Sequence, residues 1–170
     1  MVSIAQTTTN LQPPTFFDPQ FPFLNFFPLA EHFHITLQLR IDWAELDLFG
    51  HVNNVMFMKY VQAARVNYWE KMGLYQDFLV SKKGPMLASV NCDFKKPLFY
   101  PGEVTIRSRV EFVKNTSFGF HHQLLNGEGE LVAEAHDVLV YFDFNSNEKA
   151  QLPETYRNAI KRIEGEDFAL

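Results

Sequence analysis

Residues 34–73, HITLQLRIDWAELDLFGHVNNVMFMKYVQAARVNYWEKMG, contain the change of period on which the fold turns. Ile35, Leu37, Leu39, Ile41 and Trp43 alternate with polar or outward residues, the period of two expected of a strand with one buried face. From Val55 onward the apolar positions Met58, Val61, Ala64, Tyr68 and Met72 fall three or four apart, which predicts a helix of about five turns. Gly73 is its stop. Asn53 or Asn54 is its N-cap, because a short amide can accept from N–H groups that the first turn leaves unpaired. Between strand and helix lies LDLFGHVNN, residues 46–54, a polar turn rich in groups that can do chemistry.

Beyond the helix, LYQDFLVSKK can hold a short second helix, and after Gly84 the chain turns to strands. These are PMLASVNCDF, then EVTIRSRVEFV with Val104, Ile106, Ser108, Val110 and Phe112 on one face, then SFGFHHQLL, then ELVAEAHDVLVYFDF. Pro97 and Pro101-Gly102 separate the first two, and Asn126 to Gly129 signal a hairpin before the last. Connections this short require antiparallel neighbours. PETYRNAIKRIEG reads as a C-terminal helix. A helix of about 28 Å can be buried only by a broad, curved sheet. The expected class is α+β, an antiparallel sheet of about five strands wrapped around a long central helix.

A chain of 170 residues, 46% of them apolar, is the size of one domain with a substantial core. We expect that domain over residues 34–170, preceded by an arm over residues 1–33. In the arm, Pro13, Pro14, Pro19, Pro22 and Pro28 interrupt Phe16, Phe17, Phe21, Phe23, Phe26, Phe27 and Phe33. Its first ten residues are polar and read as disordered. The rest cannot form a regular helix, yet so much aromatic surface is not left in water, so it is expected to pack on its own domain or a neighbouring subunit. It has no Lys or Arg to meet anionic lipid, and no membrane partner is expected.

The net charge of -5 argues against a nucleic-acid surface. Cys92 is the single cysteine, so no internal disulfide or cysteine metal cluster forms, and a reducing cytoplasm is the expected location. It reads as core filling. No basic-then-apolar leader opens the chain, so no secretory signal is expected. His121 and His122 face opposite sides of a strand and, with His32, His34 and His136, have no compact ligand spacing. No metal is predicted.

RIDWAELDLFGHVNNVMFMKYVQAAR together with CDFKKPLFYPGEVTIRSRVEFVKNTSF resembles the hotdog-fold acyl-CoA thioesterases of the 4-hydroxybenzoyl-CoA thioesterase group. The first segment matches that family's strand, its Asp-x-x-Gly-His-Val-Asn-Asn turn and the start of its central helix. The second matches its Pro-Leu turn, Gly-Asp/Glu bend and following strand. The resemblance covers roughly residues 34–157, including QLPE, and leaves the arm outside. It implies a sheet wrapped on the helix, a homodimer or homotetramer with a continuous intersubunit sheet, and acyl-CoA bound at active sites shared between subunits. Coenzyme A then enters as part of the substrate, with no separate cofactor.

Thioester hydrolysis needs a nucleophile or base near the carbonyl and donors aimed at the oxygen that becomes negative. Asp47, three residues before Gly50, stands where the family places its catalytic carboxylate. It can attack the thioester or activate water, or it can be a turn aspartate bonded to local N–H groups. Backbone N–H groups from His51 to Asn54 are the expected oxyanion donors at the helix start, and Gly50, His51 and Asn54 complete the candidate catalytic set. Glu45 is the alternative acid. Some relatives use a Glu on the central helix; Gln62 and Ala63 stand there instead, which adds weight to Asp47.

Phe49, Phe57, Met58 and Val61 are the candidate acyl-pocket lining, with a core role as their other reading. Arg65 reads as an ion pair or a cap of buried carbonyls. Lys114, Asn115 and Thr116 match the family's strand end beside the nucleotide and are the candidate coenzyme A contacts. Lys82, Lys83, Lys95 and Lys96 read as solvated charges. An acyl carrier protein as carrier, or an acyl-CoA-binding module without turnover, are the alternatives.

Overall fold

In the computed structural model, residues 32–73 and 75–165 are described, so most of the Phe/Pro-rich arm lies outside them. Strand β1 (Ile35–Arg40) is followed by helix α1 (Asn54–Met72), the short helix α2 (Tyr75–Ser81) and strands β2 (Lys83–Phe94), β3 (Glu103–Val113), β4 (Ser117–Leu125) and β5 (Leu131–Asp143). A two-residue strand, β6 (Glu148–Lys149), and helix α3 (Glu154–Glu164) complete the order. The sheet runs β1-β3-β4-β5-β2, antiparallel throughout, with β6 added beside β5. This is the α+β hotdog arrangement: one long helix held against a curled antiparallel sheet.

The strand expected to run to Trp43 stops at Arg40. Asp42 caps a 3-10 turn at Trp43–Glu45, accepting from Ala44 N–H at 2.8 Å, while Glu45 reaches back to Asp42 N–H at 2.9 Å. That reciprocal capping box turns the chain early and leaves Trp43 71% exposed, not inward. Ile41 is the last inward residue of the alternation and is buried.

Helix α1 begins where the sequence signals. Asn53 caps it, its side chain accepting from Val55 N–H at 3.0 Å, and Gly73 closes it in the left-handed conformation that glycine adopts without strain. Its buried face is Phe57, Tyr60, Val61, Ala64, Arg65, Tyr68 and Met72. Met58 is only partly buried against this core. One cluster gathers the first half of α1 with β1, β3 and the hairpin end of β4 and β5; a second gathers Tyr68 and Met72 with the other sheet end and α3.

In β3, Val104, Ile106, Ser108 and Val110 are buried on one face as expected. Phe112 is not on it. A bulge after Val110 pairs Phe112 with Gly119, whereas Val110 pairs with Phe120, so the extra residue turns Phe112 to the opposite face. There its ring fills the space of the missing Gly119 side chain, and a Cβ at that position would collide with it. Val110 N–H instead donates to Glu164 of α3 at 2.8 Å.

Candidate active site

The turn between β1 and α1 is held by Asp47. One oxygen, Oδ1, accepts from Phe49 N–H at 2.8 Å and His51 N–H at 3.2 Å, while Asp47 N–H donates to the His51 carbonyl at 2.8 Å. Gly50, with φ of 79°, lets the chain reverse inside this loop. An aspartate bonding backbone two and four residues ahead closes a short turn without distant help. Its other oxygen, Oδ2, accepts no hydrogen bond among the described residues, so one carboxylate both builds the loop and keeps an acceptor free.

Asp47, His51 and Asn54 line one cleft of about 370 Å³ with Val52, Phe57, Phe94, Lys95, Lys96 and Pro97. The loop after β2 is drawn there because Val52 N–H donates to the Leu98 carbonyl at 2.9 Å. The row of free donors expected from His51 to Asn54 is shorter than the sequence suggests. His51 N–H goes to Asp47, Val52 to Leu98 and Asn53 to the Glu45 carbonyl at 2.9 Å. Only Asn54 N–H lacks an acceptor among the described residues, at the positive end of a 19-residue helix.

His51, which lines the cleft, packs edge-on against Phe99, ring centres 5.1 Å apart. Glu45 is committed elsewhere: besides the capping box it accepts from the buried Tyr60 hydroxyl at 2.5 Å. Burial, then the Glu45 carboxylate, holds that hydroxyl well above its ordinary range, so Tyr60 remains a donor. Burial likewise pushes the Cys92 thiol up to about 11, leaving it a poor nucleophile.

The candidate pocket residues divide. Phe57 lines the cleft and meets Phe94 edge-on at 5.1 Å. Val61 lies under the surface in the core, Met58 packs partly against it, and Phe49 is 80% exposed at the tip of the turn. Gln62 and Ala63 line a different groove, on the outward side of α1. Lys114, Asn115 and Thr116 follow the far end of β3, an 11-residue strand whose near end, at Glu103, pairs with Arg40 just before the Asp47 turn. They do not meet Asp47 within one subunit. Lys95 and Lys96 do line its cleft, paired with Glu134 at 3.3 Å and Glu130 at 2.8 Å. Only the folded loop contact at Leu98 reveals these two lysines; nothing in their local sequence does.

His121 and His122 face opposite sides, as adjacent strand residues must. His121 stacks on His136, centres 4.5 Å apart, and pairs with Glu134 at 2.8 Å. His122 points inward, its Nδ1 2.8 Å from the Ser108 hydroxyl and its Nε2 3.3 Å from Asp137, which also receives Arg65. Burial lowers the His122 pKa, only partly offset by Asp137, so the ring is neutral at pH 7. Among the described residues no group of three or more His, Cys, Asp or Glu side chains could hold a metal ion.

Residues 41–160 match the family described as the thioesterase-like superfamily. The chain belongs to that superfamily. It is a thioester hydrolase on the hotdog fold. It is 23% identical to the long-chain acyl-CoA thioesterase FadM of Escherichia coli (strain K12), over 74% of this chain and 96% of that protein. It is 27% identical to the acyl-acyl carrier protein thioesterase ATL3, chloroplastic, of Arabidopsis thaliana, over 81% of this chain and 73% of that one. Among solved structures, a thioesterase from Thermus thermophilus complexed with coenzyme A and Zn superposes with a TM-score of 0.70 at 26% identity, covering 79% of this chain and 96% of that one. No helix among the described residues is long and apolar enough to cross a membrane.

Proposed function

We propose that this chain hydrolyses an acyl- or aroyl-CoA thioester to the free acid and coenzyme A, with Asp47 as nucleophile or general base. The observation that carries the reading is the division of the Asp47 carboxylate: Oδ1 is tied to two backbone N–H groups, and Oδ2 has no donor among the described residues in a cleft shared with the start of α1. A substrate carbonyl oxygen in that cleft takes its hydrogen bond from Asn54 N–H, where the helix dipole favours the charge that develops.

Two balanced routes use the free oxygen. In one, Oδ2 attacks the carbonyl carbon, the C–S bond breaks, coenzyme A leaves as the thiolate, and water then hydrolyses the mixed anhydride. In the other, Asp47 takes a proton from water as that water attacks. Asp47→Asn is expected to lower turnover at least about a hundredfold on a panel of thioesters; retained turnover removes Asp47 from the mechanism. A single turnover in ¹⁸O-water labels the Asp47 carboxylate only on the anhydride route.

The same proposal includes a homodimer formed along β2. Leu87, Val90 and Phe94 pair with Leu139, Asp137 and Ala133 and so face inward, yet remain 41%, 39% and 52% exposed. Among the described residues β2 has a single partner strand, β5, on one edge. A second copy on the other edge satisfies the backbone and covers these side chains. It also supplies the route by which Lys114, Asn115 and Thr116 reach coenzyme A, from the second subunit. Coenzyme A is favoured over an acyl carrier protein because the lysines at the cleft are each matched by a glutamate, which leaves no free basic patch there for an acidic carrier surface. Parallel assays with the two thioesters test this. A cytoplasmic location belongs to the same proposal.

A further inference from the structure

The turn that joins β3 to β4, Lys114-Asn115-Thr116, carries the candidate coenzyme A contacts, yet most of what holds it comes from the C-terminal part of the chain. Locally, Lys114 N–H donates to the Ser117 carbonyl at 2.7 Å. The three carbonyls of the turn are all taken from outside it. The Thr116 carbonyl accepts from Tyr141 N–H at 2.8 Å, and the Asn115 carbonyl from Leu152 N–H at 2.8 Å. The Lys114 carbonyl accepts from a side chain, the Arg157 guanidinium on α3, at 2.9 Å.

A trans peptide points its C=O and its N–H in opposite directions, so fixing one aims the other. The peptides from Lys114 to Asn115 and from Asn115 to Thr116 are both trans. Their carbonyls face Arg157 and Leu152, so Asn115 N–H and Thr116 N–H face away, and neither has an acceptor among the described residues. Lys114 Nζ is steadied over the Phe112 ring, 5.0 Å from its centre. Two consecutive N–H groups next to a lysine in the chain suit a phosphate.

Of the three groups that hold these carbonyls, Arg157 is the one that is a side chain, so it is the one that substitution can remove. Tyr156, Ala159 and Ile160 of the same helix are buried, which gives Arg157 a fixed base. Its acidic neighbour Glu154 is 3.9 Å from Nε and 81% exposed, a pair too loose to draw the guanidinium away. We propose that Arg157 is a positioning residue for substrate binding: by holding the Lys114 carbonyl it sets the peptide plane that aims Asn115 N–H at a phosphate of coenzyme A. This rests on the coenzyme A reading of Lys114, Asn115 and Thr116 given above. The bond that breaks lies at Asp47, so the effect belongs to binding of the nucleotide end and falls on KM.

The test compares one acyl group on two carriers, using the acyl group turned over fastest in the thioester panel. The carriers are coenzyme A and pantetheine, which keeps the thioester and lacks the phosphates. Arg157→Ala is expected to raise KM for the acyl-CoA about tenfold, the equivalent of one charge-assisted hydrogen bond, with kcat unchanged. Toward the acyl-pantetheine both constants are expected to match wild type. Arg157→Lys keeps a cationic donor and is expected to recover most of the lost affinity. Arg157 borders an open, polar cavity of about 410 Å³ with Asn115, Gln151, Leu152 and Glu154, so in Arg157→Ala water takes the place of the guanidinium and the fold is retained. An unchanged KM for the acyl-CoA in Arg157→Ala overturns the proposal. So does an equal loss on both carriers, which marks a purely structural role. Lys114→Ala separates the proposal from the reading beneath it. If Lys114→Ala raises KM for the acyl-CoA and Arg157→Ala does not, the positioning role alone falls; if neither does, the coenzyme A contact at this turn falls with it.

Discussion

Two aspartates in this molecule have opposite fates. Asp137 sits in the helix-sheet interface, receiving Arg65 and facing His122, with Ser108 beyond the ring; Ser108, His122 and Asp137 each expose 1% or less. Asp47 sits on a turn at the start of the same helix, half-buried, with one oxygen bound and the other facing a cleft. By residue type alone, the first site has the makings of a Ser-His-Asp nucleophile and the second those of an ordinary turn. Access reverses that ranking. A serine only 1% exposed is out of a thioester's reach, and its neighbours serve to join α1 to β3, β4 and β5. In the proposed mechanism the turn aspartate does the chemistry, because half of it stays free beside a helix start.

Making the same change at the two aspartates separates the roles most sharply. Asp47→Asn is expected to cost about two orders of magnitude or more in turnover while leaving thermal stability close to wild type, since the amide oxygen can still accept from Phe49 and His51. Asp137→Asn is expected to do the reverse. It leaves Arg65 charged and buried without a carboxylate, a loss of about 3–5 kcal/mol in urea unfolding, with turnover per folded molecule retained.

A smaller effect is expected with pH. His122 has a folded-state pKa below its ordinary 6.5, so the unfolded chain binds a proton more readily. Its contribution to stability is whole above 6.5 and is lost as pH falls below that value, with a slope of at most about 1.4 kcal/mol per pH unit. His122→Gln keeps a polar side chain that does not titrate, and is expected to flatten the slope measured by denaturant unfolding between pH 6.5 and lower values. Smallest is Ser108→Ala, worth about 1 kcal/mol for a lost hydrogen bond, with hydrolysis at the wild-type rate. Loss of turnover in Ser108→Ala with the fold intact would return the buried site to the mechanism and dissolve the contrast.

Much of this was legible before the chain was folded, because the readable signals are local. The period of β1, the spacing along α1, the Asn53 cap and the Gly73 stop each depend on residues within one or two turns. Asp47 stood out through its place before Gly50 and the helix, and its turn bonds span only two and four residues. Arg65 could be read as half of an ion pair, but its partner lies 72 positions away on β5 and no local pattern names it. Phe112 kept the alternation in the sequence and still changed face, since a bulge is a matter of register between two strands. The donors expected from His51 to Asn53 were taken by Leu98, Glu45 and Asp47 once the loops met.

The amino-acid order by itself therefore determined the α+β class, the strand-turn-helix unit and the candidate carboxylate, since each rests on short-range periodicity or a capped turn. Tertiary structure alone decided which polar groups stayed free. It occupied most of the donors at the helix start, brought Lys95 and Lys96 to the cleft, and sent Lys114 to the far end of β3. The physical reason is that a hydrogen-bonding group is available only if nothing in the folded chain has already satisfied it, and its competitors are distant in sequence.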